Sequence, residues 1–130
     1  RLSKSPSVVI MSSCTALNGM PDRAAYSASK GAVQSLAMAM AADLVREGVR
    51  VNSLSPGTVD TPMLRGIVHR TEDPEGSLRE YMERQATCRL VDRSELALAV
   101  AYMIHPANKS LTGTTFEIDG GMRMLRTPRG

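Results

Sequence analysis

Tyr26 and Lys30 are four residues apart at a predicted helix start, so their side chains lie on one helix face, one turn apart. An ammonium group close to a phenol stabilises the phenolate, and such a tyrosine exchanges a proton with an alcohol or a carbonyl near neutral pH. Val33 and Ala37 continue the same face, so we expect the pair to point towards a sheet rather than into bulk water. Ser13 follows the preceding apolar run, which would place its hydroxyl beside the same substrate oxygen.

Each of these features is a weak indicator when it stands alone. A tyrosine followed four residues later by a lysine is common by chance, and it usually marks a solvated helix face. Two serines after an apolar run are equally often the end of a strand. The order and the spacing of Ser13, Tyr26 and Lys30 together favour a site of proton transfer.

Hydrophobic periodicity and turn residues predict the elements that position this site. Residues 8–11 form a short apolar run, which predicts a strand that is buried on both faces. The other predicted elements are a helix over 26–47 that ends at Gly48, a strand over 50–55, short helices over 63–69 and 76–85, a helix from the capping box of Asp92 and Glu95 to Pro106, and a strand over 114–119. The apolar stripes of the two long helices are predicted to be Val33, Leu36, Ala37, Met40 and Leu44, and then Leu96, Val100 and Ile104.

The alternation of strands and helices predicts a parallel sheet that is covered by helices. Such α/β sheets gather ligands at the carboxyl ends of their strands, and Pro56-Gly57 ends the second strand at that same edge. Three strands do not complete a doubly wound sheet, and the first, apolar strand would leave an edge of unpaired backbone groups. We therefore expect the C-terminal part of a Rossmann-like fold, with the N-terminal βαβ units absent.

Composition and charge narrow the possible functions. The formal net charge is +3, with a basic tail of Arg123, Arg126 and Arg129, but no Trp, one Phe and three Tyr argue against nucleic-acid binding. Cys14 and Cys88 follow no metal-ligand spacing, so we expect two buried or half-buried thiols in a reduced compartment and no metal site. No apolar run reaches the ~18 residues that a membrane span needs, and the chain starts without a signal peptide pattern, so a cytoplasmic protein with no membrane partner is predicted. The nine Met are interpreted as core filling.

Five segments of the chain occur in an order that is typical of one family. They are Val8-Val9-Ile10-Met11-Ser12-Ser13, Tyr26-Ser27-Ala28-Ser29-Lys30, Val49-Arg50-Val51-Asn52, Pro56-Gly57-Thr58-Val59-Asp60-Thr61-Pro62-Met63 and Glu117-Ile118-Asp119-Gly120-Gly121. Together they resemble the classical short-chain dehydrogenase/reductase family. From this resemblance we interpret residues 1–122 as the C-terminal catalytic half of one domain and residues 123–130 as a basic tail. It implies an oxidoreductase that interconverts a secondary alcohol and a ketone by hydride transfer with a nicotinamide cofactor.

The resemblance implies a role for each matching residue. Ser13, thirteen residues before the tyrosine, matches the catalytic serine; Tyr26 matches the general acid/base, and Lys30 the residue that favours its ionisation. The positions that match the family's cofactor pocket are Tyr26, Lys30, Pro56, Gly57, Val59 and Thr61. The family's Gly-rich turn, its relay asparagine and the residue that selects NAD or NADP have no match here, so NAD is predicted and NADP stays open.

The stretch over 56–90 resembles one subgroup more closely, namely cytosolic 3-hydroxybutyrate dehydrogenases and dehydrogenases of deoxy-sugar acids. Arg23 and Arg84 match two arginines that hold a substrate carboxylate in that subgroup, and Ile67 occupies the third position. Surface loops of a basic protein contain arginines in any case, so a 3-oxoacyl, steroid or sugar carbonyl substrate is the alternative. The family also implies a homodimer or homotetramer. A second hypothesis is a truncated, catalytically inactive chain that acts only as a subunit or interaction partner.

Overall fold

The computed structural model describes residues 6–126, and these residues fold as alternating strands and helices. The strands are β1 (Ser7–Met11), β2 (Arg50–Pro56) and β3 (Thr115–Ile118), and the α-helices are α1 (Ala24–Leu44), α2 (Pro62–Val68), α3 (Pro74–Glu83) and α4 (Arg93–Ile104). Single 3-10 turns follow β1 at Cys14–Ala16 and α1 at Val45–Glu47. The predicted order of elements is confirmed. Arg129 of the predicted basic tail and the first five residues lie outside the described part.

β2 is the central strand of a parallel three-stranded sheet with the order β1-β2-β3. Its Val51 lies in register with Val8 of β1, and its Leu54 lies in register with Phe116 of β3. The buried amide of Asn52 fastens the loop before β3, since it donates to Leu111 O at 2.8 Å and accepts from Thr114 N at 3.2 Å. This arrangement confirms an α/β, Rossmann-like fold class.

Helices cover both faces of the sheet, which produces two apolar clusters. On one face, Ala37 and Ala41 of α1 pack against Val51. On the other face, Ala99 and Met103 of α4 pack against Leu54. The alternation of side chains along a strand sends β2 residues into both clusters, because successive side chains point to opposite faces. The sheet is therefore the middle layer between α1 and α4.

The predicted burial of β1 on both faces is wrong. Its first four residues are half-buried, and Met11 at its end is exposed. The physical reason is its position, because β1 is an edge strand that pairs with β2 alone among residues 6–126. A strand buried on both faces needs neighbours that carry covering helices past it on each side.

The predicted apolar stripes are wrong at one position in each long helix. Leu36 of α1 is exposed, and Gln34 and Ala41 are buried instead. Gln34 tolerates burial because its amide donates to Thr115 Oγ1 at 2.7 Å. In α4, Ile104 is exposed and its neighbour Met103 is buried. Both helices carry apolar residues next to each other, so periodicity alone does not decide which neighbour turns inward.

The helix ends follow the local sequence closely. Gly48 has φ +75°, the left-handed conformation that glycine adopts without strain, and it closes the turn after α1. The capping box of α4 is confirmed: Asp92 accepts from Ser94 N at 2.8 Å, and Glu95 accepts from Asp92 N at 2.9 Å. Arg123, the start of the predicted basic tail, forms an ion pair with Glu117 of β3. Within the described residues, no helix combines the length and the apolar character that a membrane crossing needs.

Candidate active site

A cleft with a volume of about 370 Å³ opens beyond the carboxyl ends of β1 and β2. This volume lies in the range of small-molecule sites. The cleft is lined by residues from four parts of the chain that are distant in sequence, so the fold assembles it. Of the residues predicted to form a site, those that line it are Ser13, Arg23, Tyr26, Pro56, Gly57, Val59, Thr61 and Arg84. Lys30 lies behind this lining, with its Nζ 5.8 Å from the centroid of the Tyr26 ring.

Ser13 lies where the chain leaves the sheet. The preceding residue still continues the ladder, because Ser12 N donates to Leu54 O at 2.8 Å. Ser13 then caps the 3-10 turn, and its Oγ accepts from Thr15 N at 3.3 Å and from Thr15 Oγ1 at 3.0 Å. Two donors thus occupy the acceptor side of this hydroxyl. Ser13 Oγ donates to no protein acceptor within residues 6–126, so its own proton is available to a ligand oxygen.

Tyr26 and Lys30 are held by the first turns of α1. Lys30 Nζ donates to Met11 O at 3.2 Å, and Lys30 O accepts from Ser12 Oγ at 2.9 Å, so the helix is tied to the end of β1. The expectation that both side chains avoid bulk water holds for Lys30, which is half-buried. It is wrong for Tyr26, which is 46% exposed because it faces the open cleft. The arrangement places a cation beside a phenol that a ligand in the cleft can reach.

The turn after β2 brings backbone close to the floor of the cleft. Gly57 N donates to Ile118 O at 3.0 Å, and a Cβ on Gly57 would lie 2.9 Å from both the Cα and the carbonyl oxygen of Asp119. No side chain larger than hydrogen fits there. Further along, Thr61 Oγ1 accepts from Leu64 N at 3.1 Å, which caps α2 ahead of a proline at its first position.

Sequence reasoning missed Gln85, which is 0% exposed behind this turn. Its Oε1 accepts from Thr58 N at 3.2 Å, and its Nε2 donates to Arg89 O. It also blocks the space in which a Gly57 side chain would lie. A glutamine after a short, polar helix is usually a surface residue, so nothing in its local sequence indicated burial.

Arg23 and Arg84 both reach the cleft, Arg23 from the residue before α1 and Arg84 from the end of α3. The Arg84 guanidinium lies 4.2 Å from the centroid of the Tyr81 ring, which limits its freedom. At the third arginine position of the subgroup, Ile67 lines the cleft as an apolar residue. The nearby Arg65 does not replace it, because Arg65 pairs with Asp60 at 2.6 Å and holds the pKa of that carboxyl below its ordinary value.

The floor of the cleft contains a buried thiol. Cys14 Sγ lies 3.4 Å from Met122 Sδ, and both residues line the cleft. Burial raises the pKa of the Cys14 thiol, and the charge of Asp119 raises it further. Asp119 itself is occupied, because it accepts from Gly121 N and Arg123 N, each at 2.9 Å. In residues 6–126, no group of three His, Cys, Asp or Glu side chains is placed to hold a metal ion.

Comparisons with known proteins show which sequences and structures this chain resembles. The family model described as Enoyl-(Acyl carrier protein) reductase matches residues 1–123. Dehydrogenase/reductase SDR family member 6 of Rattus norvegicus is 39% identical over 119 residues, which are 91% of this chain and 49% of that protein. The 2-keto-3-deoxy-L-fuconate dehydrogenase of Xanthomonas campestris is 38% identical over 117 residues, covering 88% of this chain and 39% of that protein. A crystal structure of an actinorhodin polyketide ketoreductase variant with NADPH has a TM-score of 0.85 at 29% identity, over 93% of this chain and 48% of that one.

The family model, the relative from Rattus norvegicus and the ketoreductase structure each match nearly the whole chain. The chain spans about half the length of the curated relatives it matches. Those relatives are named as dehydrogenases or reductases. The chain belongs to the short-chain dehydrogenase/reductase family.

Proposed function

We propose that the protein is an oxidoreductase that interconverts a secondary alcohol and a ketone with NAD or NADP, and that its substrate is a hydroxy acid. The observation that carries this proposal is the placement of Ser13 and Tyr26 on one cleft, with the Lys30 ammonium 5.8 Å from the Tyr26 ring centroid. In this proposal residues 1–122 are the catalytic half of the domain, and the working protein is a homo-oligomer.

Tyr26 is the general acid/base of the proposed reaction. Its hydroxyl gives a proton to the ketone oxygen or takes one from the alcohol, and a positioned group of this kind contributes about 10²–10⁴-fold to a rate. The Lys30 ammonium stabilises negative charge on the phenol oxygen while the proton is away. Ser13 Oγ already accepts two hydrogen bonds from Thr15. Its hydroxyl donates to the same substrate oxygen and so holds the carbonyl in place.

A nicotinamide cofactor supplies or accepts the hydride when it is bound. The turn from Pro56 to Thr61 is the proposed binding segment for such a group, because it lines the cleft at the carboxyl end of β2 and is fixed there by the close approach of Gly57 to Asp119. Val59 and Thr61 line the cleft beyond Gly57, and Lys30 is the proposed ligand of a ribose hydroxyl of the cofactor. The neighbour with NADPH in its crystal supports the class of cofactor, but no residue here favours NAD over NADP.

Arg23 and Arg84 are the proposed carboxylate-binding residues. Both line the cleft that contains Ser13 and Tyr26, so an acid bound to them would present its hydroxyl carbon to the proposed catalytic pair. Guanidinium groups donate two parallel hydrogen bonds to a carboxylate. The similarity to a dehydrogenase named for a keto-deoxy sugar acid supports an acidic substrate as well.

The test is NADH titration of the protein, followed by the Tyr26→Phe variant. NADH at about 100 times its Kd should add roughly 2.7 kcal/mol of stability, seen as a rise in the unfolding temperature. Tyr26→Phe keeps the ring and removes the hydroxyl, so NADH binding should persist while turnover of hydroxy acids falls at least about 100-fold. Full activity of the variant would overturn the role of Tyr26.

Absence of NADH binding would overturn the proposal and favour the second candidate function, a non-catalytic subunit. One observation favours that candidate: β1 pairs on one side only among the described residues. An unpaired strand edge offers backbone groups to a partner chain.

A further inference from the structure

The helix α2 exposes apolar side chains towards the cleft. Met63 is 74% exposed and Ile67 is 45% exposed, and both line the cleft one helical turn apart. The neighbouring side of α2 is also apolar, because Leu64 and Val68 are buried, and Leu64 lines the cleft as well. Contiguous apolar residues on a cleft wall form a surface that an apolar ligand can cover.

The other walls of the cleft continue this apolar surface. Met20 lies across the cleft before α1, Met122 lies on the floor, and the Tyr81 ring stands at the end of α3. Methionine side chains are flexible and polarisable, so they adapt to ligands of irregular shape. The interpretation of all nine Met as core filling is therefore wrong, since Met63 lines the cleft and is 74% exposed, and Met38 and Met124 are more than half exposed.

The charged side chains that line the cleft are both arginines, and neither has a carboxylate partner within the described part of the chain. Three arginines pair with carboxylates elsewhere, namely Arg65, Arg89 and Arg123. Neither Arg23 nor Arg84 takes part in an ion pair within residues 6–126, and both line the cleft. A ligand for this cleft therefore carries an anionic end and an apolar body.

Several hydroxyl groups of the lining already have intramolecular partners. Ser12 Oγ donates to Lys30 O at 2.9 Å, Thr15 Oγ1 donates to Ser13 Oγ at 3.0 Å, and Thr61 Oγ1 accepts from Leu64 N at 3.1 Å. A polyhydroxylated sugar chain would lose its water and find few replacement hydrogen bonds beside the methionines. An aliphatic or aromatic chain loses nothing there.

We propose that the cleft selects amphiphilic hydroxy acids, with the carboxylate at Arg23 and Arg84 and an apolar chain of four or more carbons against Met63 and Ile67. This substrate class rests on the proposed function for its chemistry, although the binding surface does not depend on turnover. Each methylene that is covered by the wall should strengthen binding about two- to fourfold, because the transfer of a CH₂ from water has that magnitude.

The experiment measures Kd by calorimetry for the unreactive straight-chain acids from butyrate to octanoate, with and without saturating NADH. The expected result is at least about a tenfold gain from butyrate to octanoate, with gluconate weaker than octanoate. Octanamide, which lacks the charge, should bind more weakly than octanoate. Equal affinity along the series, or tighter binding of gluconate, would overturn the inference.

A matched pair of variants locates the effect. Met63→Gln combined with Ile67→Gln should remove most of the gain with chain length, and both residues are exposed enough for the fold to tolerate the change. Met38→Gln alters an exposed methionine of α1 outside the cleft lining and should keep the full gain. An unchanged gain in the double variant would overturn the assigned wall.

Turnover then separates this inference from the proposed function. If kcat/KM for 3-hydroxy acids rises with chain length in parallel with affinity, both stand. If octanoate binds more tightly than butyrate but no hydroxy acid reduces NAD or NADP, the proposed oxidoreductase function fails and the apolar cleft stands. If all hydroxy acids react at equal kcat/KM, the function stands and the selectivity is overturned.

Discussion

The side-chain carbonyl of Gln85 accepts a hydrogen bond from the backbone N–H of Thr58 at 3.2 Å, although 27 residues separate them. The same side chain donates to Arg89 O, and it is 0% exposed. It therefore joins the turn after β2 to the segment that follows α3. The proposed cofactor wall at Gly57 and the proposed carboxylate ligand Arg84 are the immediate neighbours of this bond, so their separation depends on it.

Gln85→Leu should destabilise the fold and weaken NADH binding together. The substitution removes the partner of Thr58 N–H and of Arg89 O in two partly buried hydrogen bonds, which costs about 1–3 kcal/mol of unfolding free energy. Urea denaturation measures the loss. Glu83→Gln, an exposed change near the end of α3, is the control and should stay within about 0.5 kcal/mol. A Gln85→Leu protein as stable as the parent would contradict the bond's importance.

Arg50 should prove to be a structural residue of the end of α4. Its buried guanidinium donates to Met103 O at 2.7 Å and to Ile104 O at 3.2 Å, which are among the carbonyls that a helix end leaves unpaired. Arg50→Met should cost about 2–4 kcal/mol, since charged hydrogen bonds contribute about 1.5–3 kcal/mol each and the longer ones less.

Amide hydrogen exchange tests whether the loss of stability in the Arg50 variant is located at the end of α4. In Arg50→Met, the amides of the last turn of α4 should exchange faster than those of its first turn, which the capping box still holds. Arg46→Met, an exposed arginine of the 3-10 turn after α1, is the control and should leave α4 unchanged. Uniform protection along α4 in the Arg50 variant would refute the capping role.

Stability should fall in acid through Glu95. The hydrogen bond from Arg89 and then that from Asp92 N lower the pKa of Glu95 to about 2, whereas an unfolded glutamate has a pKa of about 4.3. The folded state thus binds this proton less readily, so its contribution is complete above about pH 4.5 and is lost as pH falls towards 2. Carboxyl NMR should locate the titration. Glu95→Gln should flatten this part of the stability profile, and an unshifted Glu95 midpoint near 4 would contradict the ion pair.

The two cysteines should differ strongly in reactivity. Cys14 is 2% exposed and its thiol pKa is raised by burial, whereas Cys88 is exposed, so the predicted burial of both thiols is wrong for Cys88. A disulfide-exchange reagent should therefore label Cys88 at least about tenfold faster in the folded protein. Both should react at similar rates in urea. Cys88→Ser should remove the fast phase alone, and a fast phase that survives this change would place Cys14 at the surface.

Local sequence rules predicted most of the elements and part of the site. The order of strands and helices, Gly48 and the capping box of Asp92 followed from residues a few positions apart, and the structure agrees. Tyr26 and Lys30 share a helix face for the same reason, because a separation of four residues is one turn. Which side chains of α1 are buried was predicted less well. The apolar stripe predicted that Leu36 is buried, but Leu36 is exposed and Ala41 is buried instead, because its small side chain lets α1 lie close to β2.

Element types, helix ends and the spacing of the proposed catalytic pair depend on neighbours along the chain, so they could be predicted from the sequence. The contacts between distant segments became visible only in the folded protein, such as Gln85 with Thr58, Arg50 with the end of α4, and Met63 with the cleft. The physical reason is range. Backbone conformation is biased by side chains within about one helical turn, whereas burial and long-range hydrogen bonds depend on how complete elements pack against one sheet.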